Sequence, residues 1–462
     1  MGRPDEAGAP EETSAPEPRE GEGRPISRRA LIRSGIGALA GAPLVGGLAA
    51  ADGLRRPPGR HLRRRWASPD DEIVLGVSAA FSGPSRALGT ELYRGSMAYF
   101  SHLNENGGVN GRRLSLRLLD DGYQPDPCVA NTIELMRDDS VFLLFNYVGT
   151  PTVTRALPVL KKFRDQQVYL FFPFTGAEPQ REPPYGEFAF NLRASYRQET
   201  AGLVDNFLAI GRRRVAVFYQ NDAYGRSGWA GVREALAAHG ETIVGEATYT
   251  RGTQFDSSMR DQVEVLERRS PDAIICIGAY AACAAFARDA EELGLHVPVA
   301  NVSFVGSENL LALMSEGRSD AGSHTRWLVN SQVVPSYADT SLRAVREYHE
   351  LMARYDPPPP TPDQVARIVE NEEYETVPQS FVSLEGFLNA KLIAEIIRRM
   401  GDDPRRSRIE DAVFQVRDYD LGVGERVRFG PGRRQGLQRV YYTFPEDGRF
   451  VPLDDWAARF GA

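Results

Sequence analysis

The sequence predicts an α/β protein made of two consecutive runs of strand–helix units, each forming a parallel sheet with helices on both faces. Three observations support this prediction. Strand-length apolar runs alternate with segments of helical period from residue 73 onward. The alternation is interrupted by a proline-rich loop at Glu178–Gly186 and restarts after Asn191. With 462 residues, 42% of them hydrophobic, the chain is long enough for two domains of ordinary size.

The first strand–helix–strand unit shows how the pattern is identified. Ile73–Ser78 is an apolar run of strand length, and Leu114–Leu118 alternates apolar and polar residues as a second strand does. Between them, Glu91–Glu105 has one apolar or small face and predicts a helix. Ser82-Gly83-Pro84 and Gly89 are interpreted as residues of a loop before this helix. We expect that loop to face a ligand.

The remaining elements follow from the same patterns. Further strands are predicted at Val141–Phe145, Val168–Phe172, Arg214–Tyr219, Thr242–Thr248, Ala273–Ile277 and Val297–Asn301. Further helices are predicted at Cys128–Asp138, Pro151–Arg164, Ser195–Ile210, Gly225–Ala238, Asp256–Arg268, Tyr280–Leu293, Leu342–Tyr355 and Gln379–Met400. Arg426–Phe429 and Gln438–Phe444 are predicted to form antiparallel strands joined by the glycine-rich segment Gly430–Gly436.

The N-terminal residues differ in character from the rest of the chain. Residues 1–25 are rich in Pro, Glu, Gly and Ala, and this composition predicts disorder. Residues 26–51 combine Ser27-Arg28-Arg29 with a Gly/Ala-rich apolar stretch, which resembles a twin-arginine export signal. A membrane anchor is the alternative, but Pro43 and the glycines make a poor spanning helix. Residues 52–71 are predicted to be a basic linker.

Composition and absent motifs exclude several classes of function. The net charge of −7 provides no basic field for binding nucleic acid. The three cysteines form no CxxC pair and the six histidines no HxxxH pair, so no metal site is expected. Neither a phosphate-binding P-loop nor a G-x-S-x-G nucleophile motif occurs. Asp120-Asp121 has no visible base–nucleophile partner. We therefore expect a binding protein without a cofactor rather than an enzyme.

Polar residues follow several predicted strands at the edge where α/β sheets bind ligands. Ser82 follows the first strand, and Thr150 and Thr175 follow the third and fourth. Thr150 stands at a helix N-terminus, which predicts an anion site for a carboxylate, with simple N-capping as the alternative role. Tyr224 and Tyr280 follow strands of the second half. Both are candidates for aromatic walls of the site, with ordinary packing as the alternative.

Five motifs in this order resemble the substrate-binding proteins of branched-chain amino acid ABC transporters, the leucine/isoleucine/valine-binding family of type I periplasmic binding proteins. They are Ser82-Gly83-Pro84, Leu103–Gly111 (LNENGGVNG), Val148–Thr152 (VGTPT), Asn221–Gly225 (NDAYG) and 383–397 (SLEGFLNAKLIAEII). The resemblance runs from about Glu72 to the C-terminus. It implies two Rossmann-like lobes with parallel central sheets, joined by a three-strand hinge. Carried over, lobe 1 comprises residues 72–192 and 336–420, and lobe 2 comprises 193–335 and 421–462.

The resemblance also implies a ligand site between the lobes. Its expected residues are Ser82, Leu88, Thr150, Thr152, Phe174, Thr175, Tyr224, Tyr280 and Ser303. The first-lobe threonines and Phe174 would hold the ligand carboxylate. Leu88 occupies a position where the family often has an aromatic residue. Ser303 falls near the family's acidic residue for the ligand ammonium, so amino acids, amides, urea and aromatic acids all stay open as ligands.

The function implied is an exported binding protein, monomeric and located in the periplasm or at the cell surface. It would capture a small carboxylate-bearing solute by hinge closure and present it to an ABC transporter permease. The alternative is a ligand-sensing partner of a membrane receptor, and an enzyme ranks third. The proline-rich segment Pro357–Glu375 has no counterpart in the family pattern.

Overall fold

The computed structural model describes residues 71–316, 325–365 and 374–461. The segments predicted as disordered and as an export signal, and the basic linker up to residue 70, lie outside these ranges. Residues 366–373 of the proline-rich segment also lie outside them. Within the described ranges, no helix is both long and apolar enough to cross a membrane.

The first half of the chain forms a parallel five-stranded sheet in the order β2-β1-β3-β4-β5. Its elements are β1 (Glu72–Ala79), α1 (Arg86–Glu105), β2 (Arg113–Asp120), α2 (Pro125–Arg137), β3 (Val141–Phe145), α3 (Thr150–Lys162), β4 (Leu170–Phe171) and β5 (Ala189–Phe190). The predicted strand–helix alternation is confirmed. Helix α1 begins earlier than predicted and includes Gly89. A Cβ at Gly89 would lie 2.1 Å from the Ala80 carbonyl oxygen, so this glycine permits close packing of the helix and is not a residue of the loop before it.

The second half forms a seven-stranded sheet in the order β14-β13-β10-β9-β8-β6-β7. Its first elements are α4 (Tyr196–Ala209), β6 (Val215–Gln220), α5 (Ala223–Ala238), β7 (Glu246–Tyr249), α6 (Arg260–Glu267), β8 (Ala273–Ile277), α7 (Tyr280–Glu292), β9 (Val299–Asn301), α8 (Ser307–Ser315) and β10 (Leu328–Gln332). The remaining elements are α9 (Arg343–Tyr355), α10 (Phe381–Arg399), α11 (Ile409–Phe414), β11 (Tyr419–Asp420), β12 (Arg426–Val427), β13 (Tyr441–Glu446), β14 (Arg449–Pro452) and α12 (Trp456–Phe460).

The two lobes are defined by these sheets. The first lobe is the five-stranded sheet with α1–α3 and α9–α11, and the second lobe is the seven-stranded sheet with α4–α8 and α12. Helices α1 and α10 approach so closely at Gly95 that a Cβ there would lie 1.7 Å from the Ser383 carbonyl oxygen. Trp456 of α12 packs edge-on against Phe207 of α4 at 5.3 Å between ring centroids. The predicted α/β class with two lobes is confirmed, while the lobe boundaries stay a prediction.

The predicted C-terminal hairpin is wrong. Strand β12 pairs antiparallel with β11, whereas β13 pairs with β10 and β14. The reason lies in the glycine-rich segment between β12 and β13, whose backbone bonds to the chain that leaves the first lobe. Asn191 N donates to the Arg434 carbonyl at 2.8 Å, and Gly436 N donates to the Asn191 carbonyl at 2.9 Å. The segment therefore crosses between the lobes instead of folding back.

Three crossings connect the lobes, at residues 191–195, 333–342 and 428–440. The first crossing leads directly into α4, which begins with a capping box. Gln198 N donates to Ser195 Oγ at 3.3 Å, and Ser195 N donates to Gln198 Oε1 at 2.8 Å. Both bonds satisfy amide groups that a helix N-terminus otherwise leaves unpaired.

Replacing Ser195 by alanine is expected to lower the free energy of unfolding by about 1 kcal/mol, since the cap acceptor is lost. Urea-induced unfolding followed by circular dichroism measures this change. Ser195→Thr keeps a hydroxyl at the cap and is the matched control, expected to stay close to wild type. Equal destabilisation by both substitutions would contradict the capping role.

Candidate ligand site between the two lobes

An aromatic cluster joins the lobes. Phe304 follows β9 in a short turn of the second lobe and is fully buried. Its ring centroid lies 5.3 Å from that of Phe174 and 5.7 Å from that of Tyr123, both of the first lobe. Tyr224 of α5 lies 4.7 Å from it on the second-lobe side. These contacts bring the lobes together in a closed arrangement.

The N-terminal turn of α1 also meets the second lobe. Leu88 is fully buried, and a Cβ at Gly306 would lie 2.8 Å from Leu88 Cδ2. Gly306 has a φ of +76°, so a larger residue there would meet both backbone strain and the leucine. The Tyr280 hydroxyl accepts a hydrogen bond from Ala87 N at 3.4 Å. Burial raises the pKa of Tyr280 to about 12, so its hydroxyl keeps its proton.

Three hydroxyls converge at this junction, those of Thr150 and Thr175 from the first lobe and that of Tyr196 from α4. Thr150 Oγ1 and Thr175 Oγ1 lie 2.6 Å apart and share one hydrogen bond, and Thr175 Oγ1 also accepts from Ala177 N at 3.2 Å. The ring of Tyr196 lies 5.3 Å from that of Tyr224. The buried Tyr196 hydroxyl has no hydrogen-bond partner among the described residues. Burial raises the pKa of Tyr196, opposed by Arg193 and by the two neighbouring threonine hydroxyls.

A buried guanidinium stands beside these hydroxyls. Arg193 lies in the first crossing and is only 1% exposed. Its Nη2 donates to Ser303 Oγ, and its Cζ lies 4.7 Å from the centroid of the Phe174 ring. Two carboxylates face it: Glu385 Oε1 of α10 at 3.6 Å from Nη1, and Glu199 Oε1 of α4 at 3.7 Å from Nη2. Arg193 thus contacts both lobes.

The two carboxylates differ in their hydrogen bonds and in their pKa. Glu199 accepts hydrogen bonds from Ser303 N at 2.7 Å, Ser303 Oγ at 3.0 Å and Ser331 Oγ at 2.6 Å. Burial raises the pKa of Glu385 to about 7, with Glu199 adding to the rise and Arg193 opposing it. The acidic residue beside Ser303 is therefore Glu199, which comes from helix α4 and not from the segment that follows β9.

Two of the predicted site residues make their side-chain hydrogen bonds within the first lobe. Ser82 Oγ donates to Asp120 Oδ2 at 2.5 Å. Thr152 Oγ1 donates to the Gly149 carbonyl at 2.8 Å and also to the Val148 carbonyl. Asp120 acts as a loop acceptor as well, taking Phe81 N at 2.9 Å. The other seven predicted residues lie in or beside the junction. They are Leu88, Thr150, Phe174, Thr175, Tyr224, Tyr280 and Ser303.

Six residues of the junction were not predicted from the sequence. They are Tyr123, Arg193, Tyr196, Glu199, Phe304 and Glu385. Arg193 follows a strand at the point where the strand–helix alternation restarts, and that position was the available signal. Across the described ranges, no group of His, Cys, Asp and Glu side chains could hold a metal ion.

Comparison with known proteins agrees with this architecture. A family model described as a periplasmic binding protein matches residues 72–446. The Leu/Ile/Val-binding protein homolog 3 of Brucella melitensis is 24% identical over 230 residues, which cover 49% of this chain. The match spans 60% of the length of that curated relative and 62% of the length of a second one, the Leu/Ile/Val-binding protein BraC3 of Rhizobium johnstonii.

A solved structure covers nearly the whole fold. The crystal structure of a possible leucine/isoleucine/valine-binding protein from Rhodopirellula baltica is 29% identical, with a TM-score of 0.74. The alignment covers 85% of this chain and 99% of that one. Since the family model extends over both lobes and the fold agrees with it, the chain belongs to the periplasmic binding protein family.

Proposed function

We propose that this chain is an exported solute-binding protein that captures a small carboxylate-bearing solute between its lobes and presents it to an ABC transporter permease. One observation carries the proposal. The hydroxyls of Thr150, Thr175 and Tyr196 converge with the Arg193 guanidinium where the two lobes meet. The relatives named as Leu/Ile/Val-binding proteins support an amino acid or a related acid as the solute.

Closure supplies the binding energy in this proposal. Opening the lobes exposes Phe304 and Phe174 to water, and closing over a solute buries them again together with its apolar part. The solute carboxylate accepts hydrogen bonds from hydroxyls and lies near the N-terminus of α3, whose dipole favours an anion. A dissociation constant near micromolar corresponds to about −8 kcal/mol, within reach of such a site. The closed form is then the state that a permease recognises.

Isothermal titration against amino acids, their amides, and aliphatic and aromatic carboxylates tests the proposal. We expect micromolar binding of at least one carboxylate and a decrease in the radius of gyration by small-angle scattering. The same scattering data give the molecular mass and test the monomer. Absence of binding by every carboxylate, with no change in the radius of gyration, would contradict the proposal.

Transport and export are tested in cells. With a permease and ATPase encoded beside the gene, loss of this protein should abolish uptake of the bound solute. Uptake that persists while a receptor response is lost would favour the sensing alternative. The twin-arginine route stays a prediction, and cell fractionation of an Arg28→Lys/Arg29→Lys double variant checks it. Unchanged export of that variant would contradict the route.

A further inference from the structure

We propose that Arg193 receives the anionic group of the solute, and that the solute is an organic acid carrying no ammonium group. The inference rests on the proposed function and identifies the class of its ligand. It departs from an α-amino acid, which would bring a cation into the same junction. Four observations on the described residues carry it. Arg193 has unpaired N–H donors, the Glu199 carboxylate is already hydrogen-bonded, Glu385 lies too close to Arg193 to hold an ammonium group, and the surrounding side chains are apolar.

The guanidinium of Arg193 has N–H donors that make no hydrogen bond with any described residue. Its Nη2 bonds to Ser303 Oγ, but the buried Nε and Nη1 atoms have no hydrogen-bond partner. An unpaired buried donor of a charged group is costly, so these N–H groups favour an acceptor brought by a ligand. Nε and one Nη of a guanidinium form a planar fork that fits the two oxygens of a carboxylate.

The two neighbouring acids are poor partners for an ammonium group. Glu199 already accepts three hydrogen bonds from Ser303 and Ser331, so it has little capacity left. Glu385 has more capacity, but its Oε1 is 3.6 Å from Arg193 Nη1. An ammonium bonded to Glu385 would stand within roughly 7 Å of a buried guanidinium, where like charges repel strongly. The two acids thus offer an ammonium group little, whereas the unpaired N–H groups of Arg193 favour a ligand that brings an acceptor.

The rest of the junction fits an apolar body. Phe174 packs under the Arg193 guanidinium and against Phe304, and Leu88 and Tyr224 are fully buried around them. These side chains bring aromatic and aliphatic surface but no charge. An aliphatic or aromatic carboxylate presents one charged end and one apolar end, which matches this division of the site.

Binding of the anion at Arg193 is expected to make the Glu385 carboxylate take up a proton. The charged groups that face Glu385 are Arg193, Glu199 and Arg181, and burial raises the pKa of Glu385 to about 7. A solute anion on Arg193 weakens the attraction that keeps Glu385 ionised and adds a like charge, so the pKa of Glu385 rises further. The complex then binds more protons than the free protein near and above pH 7, and affinity falls as the pH rises there.

Matched ligand pairs test the proposal directly. L-Leucine is compared with isocaproate and L-phenylalanine with hydrocinnamate, since each pair differs only by the ammonium group. Titration calorimetry of the purified protein is expected to show the acid binding at least about tenfold more tightly than its amino acid. Repeating the titrations in buffers of different ionisation enthalpy should show proton uptake at pH 7.5. Tighter binding of the amino acid, with no proton uptake, would overturn the role of Arg193 but leave the proposed function intact.

Two variants separate recognition from folding. Arg193→Lys keeps the charge but loses the fork, and a fall in affinity for the acid of about tenfold or more is expected. Glu385→Gln is expected to abolish the proton uptake and to flatten the pH dependence of affinity above pH 7. Proton uptake that persists in Glu385→Gln would overturn the mechanism even if Arg193→Lys fails to fold. If neither member of either pair binds and the wider carboxylate panel also fails, both this inference and the proposed function are wrong.

Discussion

Replacing Glu199 by glutamine is expected to lower the free energy of unfolding by about 3–5 kcal/mol, because one partner of a buried ion pair is removed. The Glu199 carboxylate accepts three hydrogen bonds from Ser303 and Ser331 and lies 3.7 Å from Arg193 Nη2. A glutamine amide offers one acceptor and turns an N–H₂ group toward donors. Arg193 would be left with Glu385 alone. Urea-induced unfolding at pH 7, monitored by circular dichroism and tryptophan fluorescence, measures the loss.

Asp205→Asn is the matched control for that variant. Asp205 lies on the same helix, α4, but its side chain is 61% exposed and pairs with His239 at 2.8 Å. Exposed ion pairs contribute little, so a change of no more than about 0.5 kcal/mol is expected. If Glu199→Gln lowers the free energy of unfolding by less than about 1 kcal/mol, the ion pairs of Arg193 with Glu199 and Glu385 do not stabilise the lobe junction.

The order of strands and helices follows from local pattern, and the first lobe shows why. The predicted strand Val141–Phe145 has the observed bounds, because an apolar run of five residues between polar ones has the length of a buried strand and is too short for a typical helix. The prediction that Gly89 belongs to a loop is wrong because it rests on local sequence alone. A glycine shortly after Ser82-Gly83-Pro84 resembles a loop residue, while its actual role depends on the Ala80 backbone across the turn. Contacts between elements are not encoded in a local window.

The predicted C-terminal hairpin is wrong because each of its two segments has another partner. The segments around β12 and β13 have hairpin spacing and a glycine-rich connection, but β12 pairs with β11, which closely precedes it in the chain, and β13 pairs with β10, which is distant in sequence. Pairing along a chain that crosses between lobes three times is decided by the tertiary fold, which overrides local strand propensity.

Only part of the candidate site can be predicted from the residues that follow the strands. Thr150, Thr175, Tyr224 and Tyr280 were placed by the rule that ligands bind beyond the carboxyl ends of parallel strands, and all four lie in or beside the junction. Arg193, Glu199 and Glu385 were missed. A charged residue on a helix or in a connection predicts a solvated surface, and only the structure shows that these three are buried against one another.

Replacing Phe304 by alanine is expected to weaken both stability and solute binding. Its ring is fully buried and contacts Phe174 and Tyr123 of the first lobe and Tyr224 of its own lobe. Removing a buried phenylalanine ring costs about 3–5 kcal/mol of unfolding free energy. If the ring also forms a wall of the closed site, affinity should fall about tenfold or more, since apolar area is no longer buried on closure. Urea unfolding and titration calorimetry with the bound carboxylate measure the two effects.

Phe286→Ala separates the two effects. Phe286 is also fully buried, but it stacks on Phe218 inside the second lobe at 4.3 Å between ring centroids and not on the first lobe. We expect a similar loss of stability, about 3–5 kcal/mol, with affinity near that of the wild type. Equal weakening of affinity by both variants would mean that general loosening of the second lobe, rather than the loss of a wall, governs binding. A selective effect of Phe304→Ala would place the solute against the ring that joins the two lobes.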